Sequence, residues 1–196
     1  MQIILASSSP YRKELLSKLG ISFDTYSPEV DEDPIKHDPK FSIEEKAIKL
    51  SVLKAKAVQD QYPNSLIIGS DQICHLNGEI LSKSGSLAKS EEILKKLSGK
   101  THELVTAYAI IHTNQVLTHC EVTSLKMRNL SSLQVKNYLR LDNPIDCAGS
   151  YKLELNGIGL FEKIETKDHT AIVGLPLIQL GNDLARLNIE IPGTKA

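Results

Sequence analysis

Serines and an arginine near the start of the chain have the types and spacing of an anion-binding site. Ser7, Ser8 and Ser9 follow an apolar run, and Pro10 and Arg12 come directly after them. The free N–H groups of a helix that begins here carry partial positive charge. Hydroxyls and a guanidinium beside them can donate to phosphate oxygens. We therefore predict phosphate binding by Ser7, Ser9 and Arg12, with a capped helix and a surface arginine as the alternative.

A carboxylate follows a second apolar run. Asp71 comes after Leu66-Ile67-Ile68 and Gly69, and the ends of such buried strands line the ligand crevice of α/β folds. A carboxylate there can bind a divalent metal or accept a proton from water, although an aspartate that begins a turn explains the same residue. Lys54 and Lys83 are candidates for neutralising phosphate charge, but in a lysine-rich sequence the residues alone do not select them.

Other chemistry is disfavoured by the sequence. The acidic segment 27–40, with Glu29, Asp31 and Glu32, is typical of a solvated loop. The pairs Cys74-His75 and His119-Cys120 do not have the spacing of a zinc site, because neighbours on a strand face opposite ways. No Walker loop, Rossmann glycine triplet or nucleophile elbow occurs. An ATPase, a dehydrogenase or an α/β-hydrolase is therefore not expected.

Composition and charge indicate which binding partners and which cellular compartment to expect. The net charge of −1 and the mixed charge pattern argue against a nucleic-acid binder. Three cysteines with no paired spacing fit a reducing cytoplasm better than a disulfide scaffold. We see no signal peptide and no run of about 20 apolar residues, so we expect no membrane partner. A homodimer stays open.

The elements that must position these residues alternate between strands and helices. Strands are predicted at 3–6 and 65–70, hairpins around Asn77-Gly78 and Asn114, and strand and turn structure over 147–161. Helices are predicted from Pro10 to Leu19 and over 42–61, 86–97, 131–141 and 176–187. This order predicts an α/β fold with a mixed β-sheet flanked by helices.

Several linked motifs resemble the Maf family of nucleotide pyrophosphatases, in register over nearly the whole chain. They are Leu5 to Arg12, Val30-Asp31-Glu32, Gly69-Ser70-Asp71-Gln72, Leu97-Ser98-Gly99 with His102, Cys147 to Lys152, and Val173-Gly174-Leu175-Pro176. The resemblance implies an elongated mixed sheet with a central cleft, related to the inosine triphosphatase fold. It implies one domain over residues 1–196, which leaves room for two lobes around the cleft.

The resemblance also implies an activity. A nucleoside triphosphate is cleaved between its α and β phosphates, giving a monophosphate and pyrophosphate, with Mg²⁺, Mn²⁺ or Co²⁺ as cofactor. Asp71 corresponds to the proposed general base, and Glu32 and Asp71 are the predicted metal ligands. Lys54 and Lys83 join the predicted phosphate contacts. The family usually surrounds the lysine at 83 with Gly and Pro, whereas here it is Ser82-Lys83-Ser84, which loses the rigidity of proline.

Three positions at which the family sets base preference carry Tyr11, Gln72 and Glu154. This combination resembles the subgroup that prefers 7-methyl-GTP, since an aromatic ring stacks well on a cationic base. A carboxylate accepts from the guanine edge while opposing the positive charge. The alternatives are a pyrimidine (dTTP or UTP) or broad house-cleaning pyrophosphatase. A protein of another class, a non-catalytic nucleotide sensor that regulates septum formation, is the remaining alternative.

Overall fold

The computed structural model describes residues 1–193. In these residues the strands are β1 Ile3–Ala6, β2 Asp24–Tyr26, β3 Leu66–Leu76, β4 Glu79–Ile80, β5 Thr101–His112, β6 Gln115–Met127 and β7 Phe161–Glu165. The helices are α1 Pro10–Ser17, α2 Asp33–Lys36, α3 Ile43–Gln59, α4 Leu87–Leu97, α5 Ser132–Asp142 and α6 Leu177–Arg186. Short 3₁₀ segments cover Ala148–Ser150, Asn156–Leu160 and His169–Val173.

The strands form one mixed sheet in the order β2-β1-β3-β5-β6-β7, and β4 pairs with β3. Strand β1 is parallel to both β2 and β3, whereas β4 is antiparallel to β3 and β7 to β6. Asn77 and Gly78 join β3 to β4 with positive φ angles of 51° and 84°, as expected for an Asn-Gly hairpin. The predicted α/β class with a mixed sheet is confirmed.

Three local predictions are wrong. The acidic segment 27–40, predicted as a loop, contains a four-residue helix, α2, which begins with Asp33 and Pro34. This helix, and the three-residue strand β2 that was not predicted, are too short to show a periodic pattern. Residues 66–76 form a single strand, β3, instead of stopping near residue 70. The segment 147–161 folds mainly as 3₁₀ turns, and its strand begins only at Phe161.

The described chain divides into two compact units. The first unit comprises residues 1–71, 106–121 and the region from 168 onward. Strand β1 is buried on both faces in this unit: Ile3 and Leu5 belong to a cluster with α1 and α6 residues, while Ile4 and Ala6 pack with residues of α3. Burial on both faces explains why β1 reads as an unbroken apolar run.

The second unit comprises residues 72–105 and 122–167. Its core includes an aromatic cluster in which Tyr151 and Phe161 meet edge to face with ring centroids 4.9 Å apart. His102 contacts the Tyr151 hydroxyl through Nε2 at 2.9 Å. Burial, and then the nearby His75, lowers the pKa of His102 to about 4, so His102 is a neutral core residue near pH 7.

No helix within residues 1–193 is long and apolar enough to cross a membrane. Cys74, Cys120 and Cys147 are all free. Burial raises the pKa of the Cys74 thiol to about 12, against a weaker opposing hydrogen bond with Tyr151. Cys74 is therefore a protonated, packed side chain rather than a nucleophile.

Candidate active site

The turn between β1 and α1 has the geometry of a helix start. Pro10 opens α1, and the Ser9 side chain caps it by accepting from the backbone N–H of Arg12 at 3.4 Å. The Ser7 hydroxyl accepts from the backbone N–H of Ser9 at 3.2 Å. Each hydroxyl keeps its own proton to donate. Ser9 therefore caps α1, as the alternative interpretation of a capped helix expects. Phosphate binding by Ser7 and Ser9 stays a prediction.

Arg12 is not a free surface side chain. It is half-buried, and its Nε donates to the Gly174 carbonyl oxygen at 2.9 Å. The Ser70 hydroxyl donates to the same oxygen, also at 2.9 Å. Burial lowers the pKa of Arg12, and the charges of Asp71 and Glu32 oppose that effect. The guanidinium is thus fixed through Nε, and within residues 1–193 its terminal nitrogens make no hydrogen bond.

Asp71 lies within β3 and not at its end, which corrects the position predicted from the sequence. The parallel neighbour β1 pairs with β3 only from Leu66 to Gly69, where Ala6 is the last partner. Asp71 therefore follows the point at which β1 leaves the sheet for the Ser7 to Ser9 turn. The end of a neighbouring parallel strand opens a crevice in the same way as the end of its own strand.

Close packing of α3 on β3 brings a lysine to this carboxylate. A Cβ on Gly69 would lie 2.3 Å from the Ser51 carbonyl oxygen and 2.8 Å from the Ala55 nitrogen, so only glycine permits this approach. Lys54, on the same stretch of α3, donates from Nζ to Asp71 Oδ1 at 2.5 Å. Gly69 thus allows α3 to pack closely on β3, a role that the sequence motif alone does not predict.

The lysine belongs to a chain of ion pairs. Lys54 Nζ also lies 2.8 Å from Glu32 Oε1, and Lys36 Nζ lies 2.5 Å from Glu32 Oε2. Burial raises the pKa of Glu32, but hydrogen bonds from Lys36 and Lys54 outweigh it and lower that pKa to about 2. With Arg12, three cations surround two carboxylates, so the cluster carries one net positive charge. That charge suits an anionic ligand.

One oxygen of this cluster has no partner. Asp71 is 5% exposed, and its Oδ2 is buried without a hydrogen bond from residues 1–193. A buried, unpartnered carboxylate oxygen is costly unless a ligand uses it. Both Glu32 oxygens are occupied by lysines, and no group of three His, Cys, Asp or Glu side chains within residues 1–193 could hold a metal ion. Asp71 therefore fits a cation held by one or two carboxylates together with substrate phosphates, as Mg²⁺ usually is.

The three base-preference residues lie on different elements. Tyr11 is half-buried in the first turn of α1, in the first unit. Gln72 and Glu154 belong to the second unit, where Gln72 is half-buried on β3 directly after Asp71. Glu154 is exposed between two 3₁₀ segments, and within residues 1–193 it has no ion pair or hydrogen bond. Their roles stay predictions.

Lys83 is exposed in the loop after β4, in the second unit, with no ion pair within residues 1–193. The loss of proline rigidity beside it is offset by Ser84. Ser84 is buried, its hydroxyl bonds that of Ser90 at 2.6 Å, and it donates to the Ile145 carbonyl oxygen at 3.3 Å. This loop is therefore anchored directly beside Lys83, which remains a predicted phosphate contact.

The Maf-like protein family model matches residues 2–187. The chain belongs to this family. A relative named 7-methyl-GTP pyrophosphatase from Bdellovibrio bacteriovorus is 43% identical over 96% of this chain and 98% of its own length. Relatives with the same name from Pseudomonas aeruginosa and Bordetella pertussis are 39% and 42% identical, over 97% and 96% of this chain and 98% and 94% of their own lengths.

A solved structure described as a nucleoside-triphosphatase / dITP/XTP pyrophosphatase from Mycobacterium abscessus is a more distant match. It is 16% identical, covers 96% of this chain and 95% of its own, and has a TM-score of 0.45. A likeness at this distance adds nothing to the assignment of function. The Maf-like assignment follows from the family model and the curated relatives.

Sequence reasoning missed two side chains of the candidate active site. Lys36 was missed because its segment was predicted to be a loop, although Glu32 and Lys36 have the i, i+4 spacing of a helical ion pair. Ser70 lies in the Gly69-Ser70-Asp71-Gln72 motif, which by itself predicts no role for it, and its bond to the Gly174 carbonyl joins residues 104 positions apart. No local pattern reports a contact of that kind.

Proposed function

We propose that this protein is a nucleoside triphosphate pyrophosphatase whose preferred substrate is 7-methyl-GTP. The observation that carries the reaction type is the buried Asp71, which is held by Lys54 through Oδ1 and has an unpartnered Oδ2. It lies where β1 gives way to a helix-start turn, beside a cluster with net positive charge. The names of the curated relatives support the substrate.

In the proposed reaction, a water oxygen bonds to the α-phosphorus. The bond between that phosphorus and the oxygen bridging to the β-phosphorus breaks, and pyrophosphate leaves with the bond's electron pair. Asp71 accepts a proton from the water through Oδ2, and the nucleoside monophosphate remains. The Lys54 ammonium fixes the carboxylate through Oδ1, so Oδ2 is the oxygen left to accept the proton.

In this proposal the guanidinium of Arg12 and the free N–H groups at the start of α1 bind the negatively charged phosphates. Further donors to the phosphates are Ser7, Ser9, Lys54 and Lys83. A divalent cation would be held by Asp71 and by Glu32, where it would replace a lysine at one Glu32 oxygen, and it would neutralise charge on the phosphates.

Recognition of the base is proposed for Tyr11, Gln72 and Glu154. N7-methylation makes the guanine ring cationic, and the Tyr11 ring offers a face on which it can stack. Gln72 donates to O6, and Glu154 accepts from N1–H and the exocyclic amine while opposing the positive charge. We place the reaction in the cytoplasm, which the three free cysteines support. A homodimer stays a prediction.

The test is a panel of nucleoside triphosphates, canonical and methylated, assayed for pyrophosphate release with Mg²⁺, Mn²⁺ or Co²⁺. We expect the highest kcat/KM for 7-methyl-GTP, with GTP lower by roughly 5- to 30-fold because it lacks the cationic stack. A profile led by UTP or dTTP would move the protein to the pyrimidine group. Binding without pyrophosphate release would identify a sensor and overturn the enzymatic proposal.

A further inference from the structure

The segment that carries Glu154 is a closed backbone turn. Within it, the Lys152 carbonyl oxygen accepts from the backbone N–H groups of Leu155 at 3.2 Å and Gly157 at 3.0 Å. A Cβ on Gly157 would lie 2.4 Å from that oxygen, so the turn closes this tightly only with glycine there. We call residues 152–157 the Glu154 turn.

Helix α5 binds the Glu154 turn at both ends. The Tyr138 hydroxyl oxygen accepts from the backbone N–H of Lys152 at 2.8 Å. Asp142 accepts from the backbone N–H of Asn156 through Oδ2 at 3.0 Å, and from Asn156 Nδ2 through Oδ1 at 2.5 Å. Tyr138 and Asp142 are four residues apart on α5, so they lie on one face of the helix.

These two side chains are buried. Tyr138 is 4% exposed and Asp142 is 5% exposed. Burial raises the pKa of Tyr138; the bond from the Lys152 backbone opposes this, and the charge of Asp142 adds to it. Tyr138 thus holds the turn at Lys152, and Asp142 holds it at Asn156. Hydrogen bonds to buried acceptors of this kind fix the groups that they join.

Glu154 itself has no such support. Its side chain is exposed and has no hydrogen bond or ion pair within residues 1–193. Within residues 1–193, the backbone of the turn is therefore what limits where its carboxylate can reach, and that backbone is tied to α5. A group that must meet a ligand with small positional error depends on the residues that hold it.

We propose that Tyr138 and Asp142 are positioning residues for base selectivity, which they exert by holding the Glu154 turn at its two ends. The inference rests on the proposed function, because it requires Glu154 to contact the base. Neither side chain touches the substrate in this proposal. Their loss should change the choice between substrates more than the rate of phosphate chemistry.

The measurement is the ratio of kcat/KM for 7-methyl-GTP to kcat/KM for UTP in Tyr138→Phe and Asp142→Asn. We expect each change to lower this ratio about three- to tenfold, the effect of about one net hydrogen bond, while kcat/KM for UTP stays within about twofold. Tyr108→Phe is the matched control. It also removes a buried phenol hydroxyl, which donates to Asp183 Oδ2 at 2.6 Å in the first unit, and it should leave the ratio unchanged.

Coupling to Glu154 separates positioning from a general loss of structure. In a Glu154→Gln background, Tyr138→Phe should lower the ratio no further, because the carboxylate that it positions is gone. A ratio that falls equally in both backgrounds overturns the proposal. So does an unchanged ratio in folded Tyr138→Phe and Asp142→Asn.

If either variant fails to fold, Asn156→Ala tests the same anchor from the exposed side, since it removes the carboxamide that bonds Asp142 Oδ1 and keeps the backbone bond to Oδ2. We expect the ratio to fall by less than in Asp142→Asn, and an unchanged ratio in folded Asn156→Ala overturns the contribution of the Oδ1 bond. The failure of the proposed function looks different: the unmodified protein itself would show no preference for 7-methyl-GTP.

Discussion

The cluster around Asp71 and the Glu154 turn hold their carboxylates in opposite ways. At the cluster, Asp71 and Glu32 are gripped directly by lysine side chains at 2.5 to 2.8 Å. At the turn, Glu154 is exposed, and the bonds from α5 reach the backbone on either side of it and the Asn156 side chain, but not Glu154 itself. In the cluster, lysine side chains bind the carboxylates themselves. In the turn, side chains of α5 bind the segment that carries the carboxylate.

This difference matches what each carboxylate has to do. A group that takes part in bond making needs a fixed charge and position before the substrate arrives, and a surrounding ion-pair network supplies both. A group that chooses between bases has to leave its hydrogen-bonding capacity for the ligand, because an internal partner would compete with it. Substitutions at the cluster should therefore affect all substrates, and substitutions at the turn should affect the choice among them.

The largest effect is expected for Asp71→Asn. The amide is nearly isosteric but cannot accept the proton and binds metal poorly, so kcat should fall on the order of 10²-fold or more for every substrate. Steady-state pyrophosphate release measures the loss, and circular dichroism with thermal melting checks the fold. Asp60→Asn, at an exposed residue that follows α3, is the matched control and should be silent. Wild-type rates in folded Asp71→Asn would remove Asp71 from the mechanism.

A smaller but still uniform effect is expected for Arg12→Ala. Loss of the fixed guanidinium should weaken transition-state binding by roughly 2–4 kcal/mol, as for other donors to developing charge. The measurement is kcat/KM for 7-methyl-GTP and for UTP, which should fall together. Lys13→Ala, at the exposed next position of α1, controls for loss of a positive charge. If Arg12→Ala stays within about threefold of the unmodified protein, the phosphate site at the start of α1 is wrong.

Much of the cluster could be predicted because its residues carry local signals. Ser9 and Pro10 are typical of a helix start, and Asp71 follows an apolar run that is typical of a buried strand. The bonds that hold the cluster could not be predicted, since Arg12 meets Gly174 across 162 positions. The sequence therefore indicates which side chains can do chemistry, while the fold decides which of them meet.

The Glu154 turn was harder to predict for a physical reason. Segment 147–161 was expected to contain strand, but its apolar residues are spaced by glycines and fold as 3₁₀ turns. Such turns have no long period that a pattern can report. Its anchors Tyr138 and Asp142 look like ordinary positions of an amphipathic helix, and their polar roles appear only when α5 is placed against the turn.

The smallest effect, and the sharpest test of the comparison, is expected for Glu154→Gln. The amide keeps the size of the side chain but loses the negative charge that opposes a cationic base, so the preference for 7-methyl-GTP over GTP should shrink by about 0.2–1 kcal/mol, the range for an exposed charge pair. Hydrolysis of UTP should change less, because a pyrimidine does not use that edge contact. The measurement is kcat/KM for 7-methyl-GTP, GTP and UTP side by side. Glu162→Gln, at an exposed position of β7 in the same unit, makes the same chemical change as a control. A uniform loss across the three substrates would place Glu154 with the cluster and erase the distinction between the two regions. A preserved preference would take base selection away from the turn.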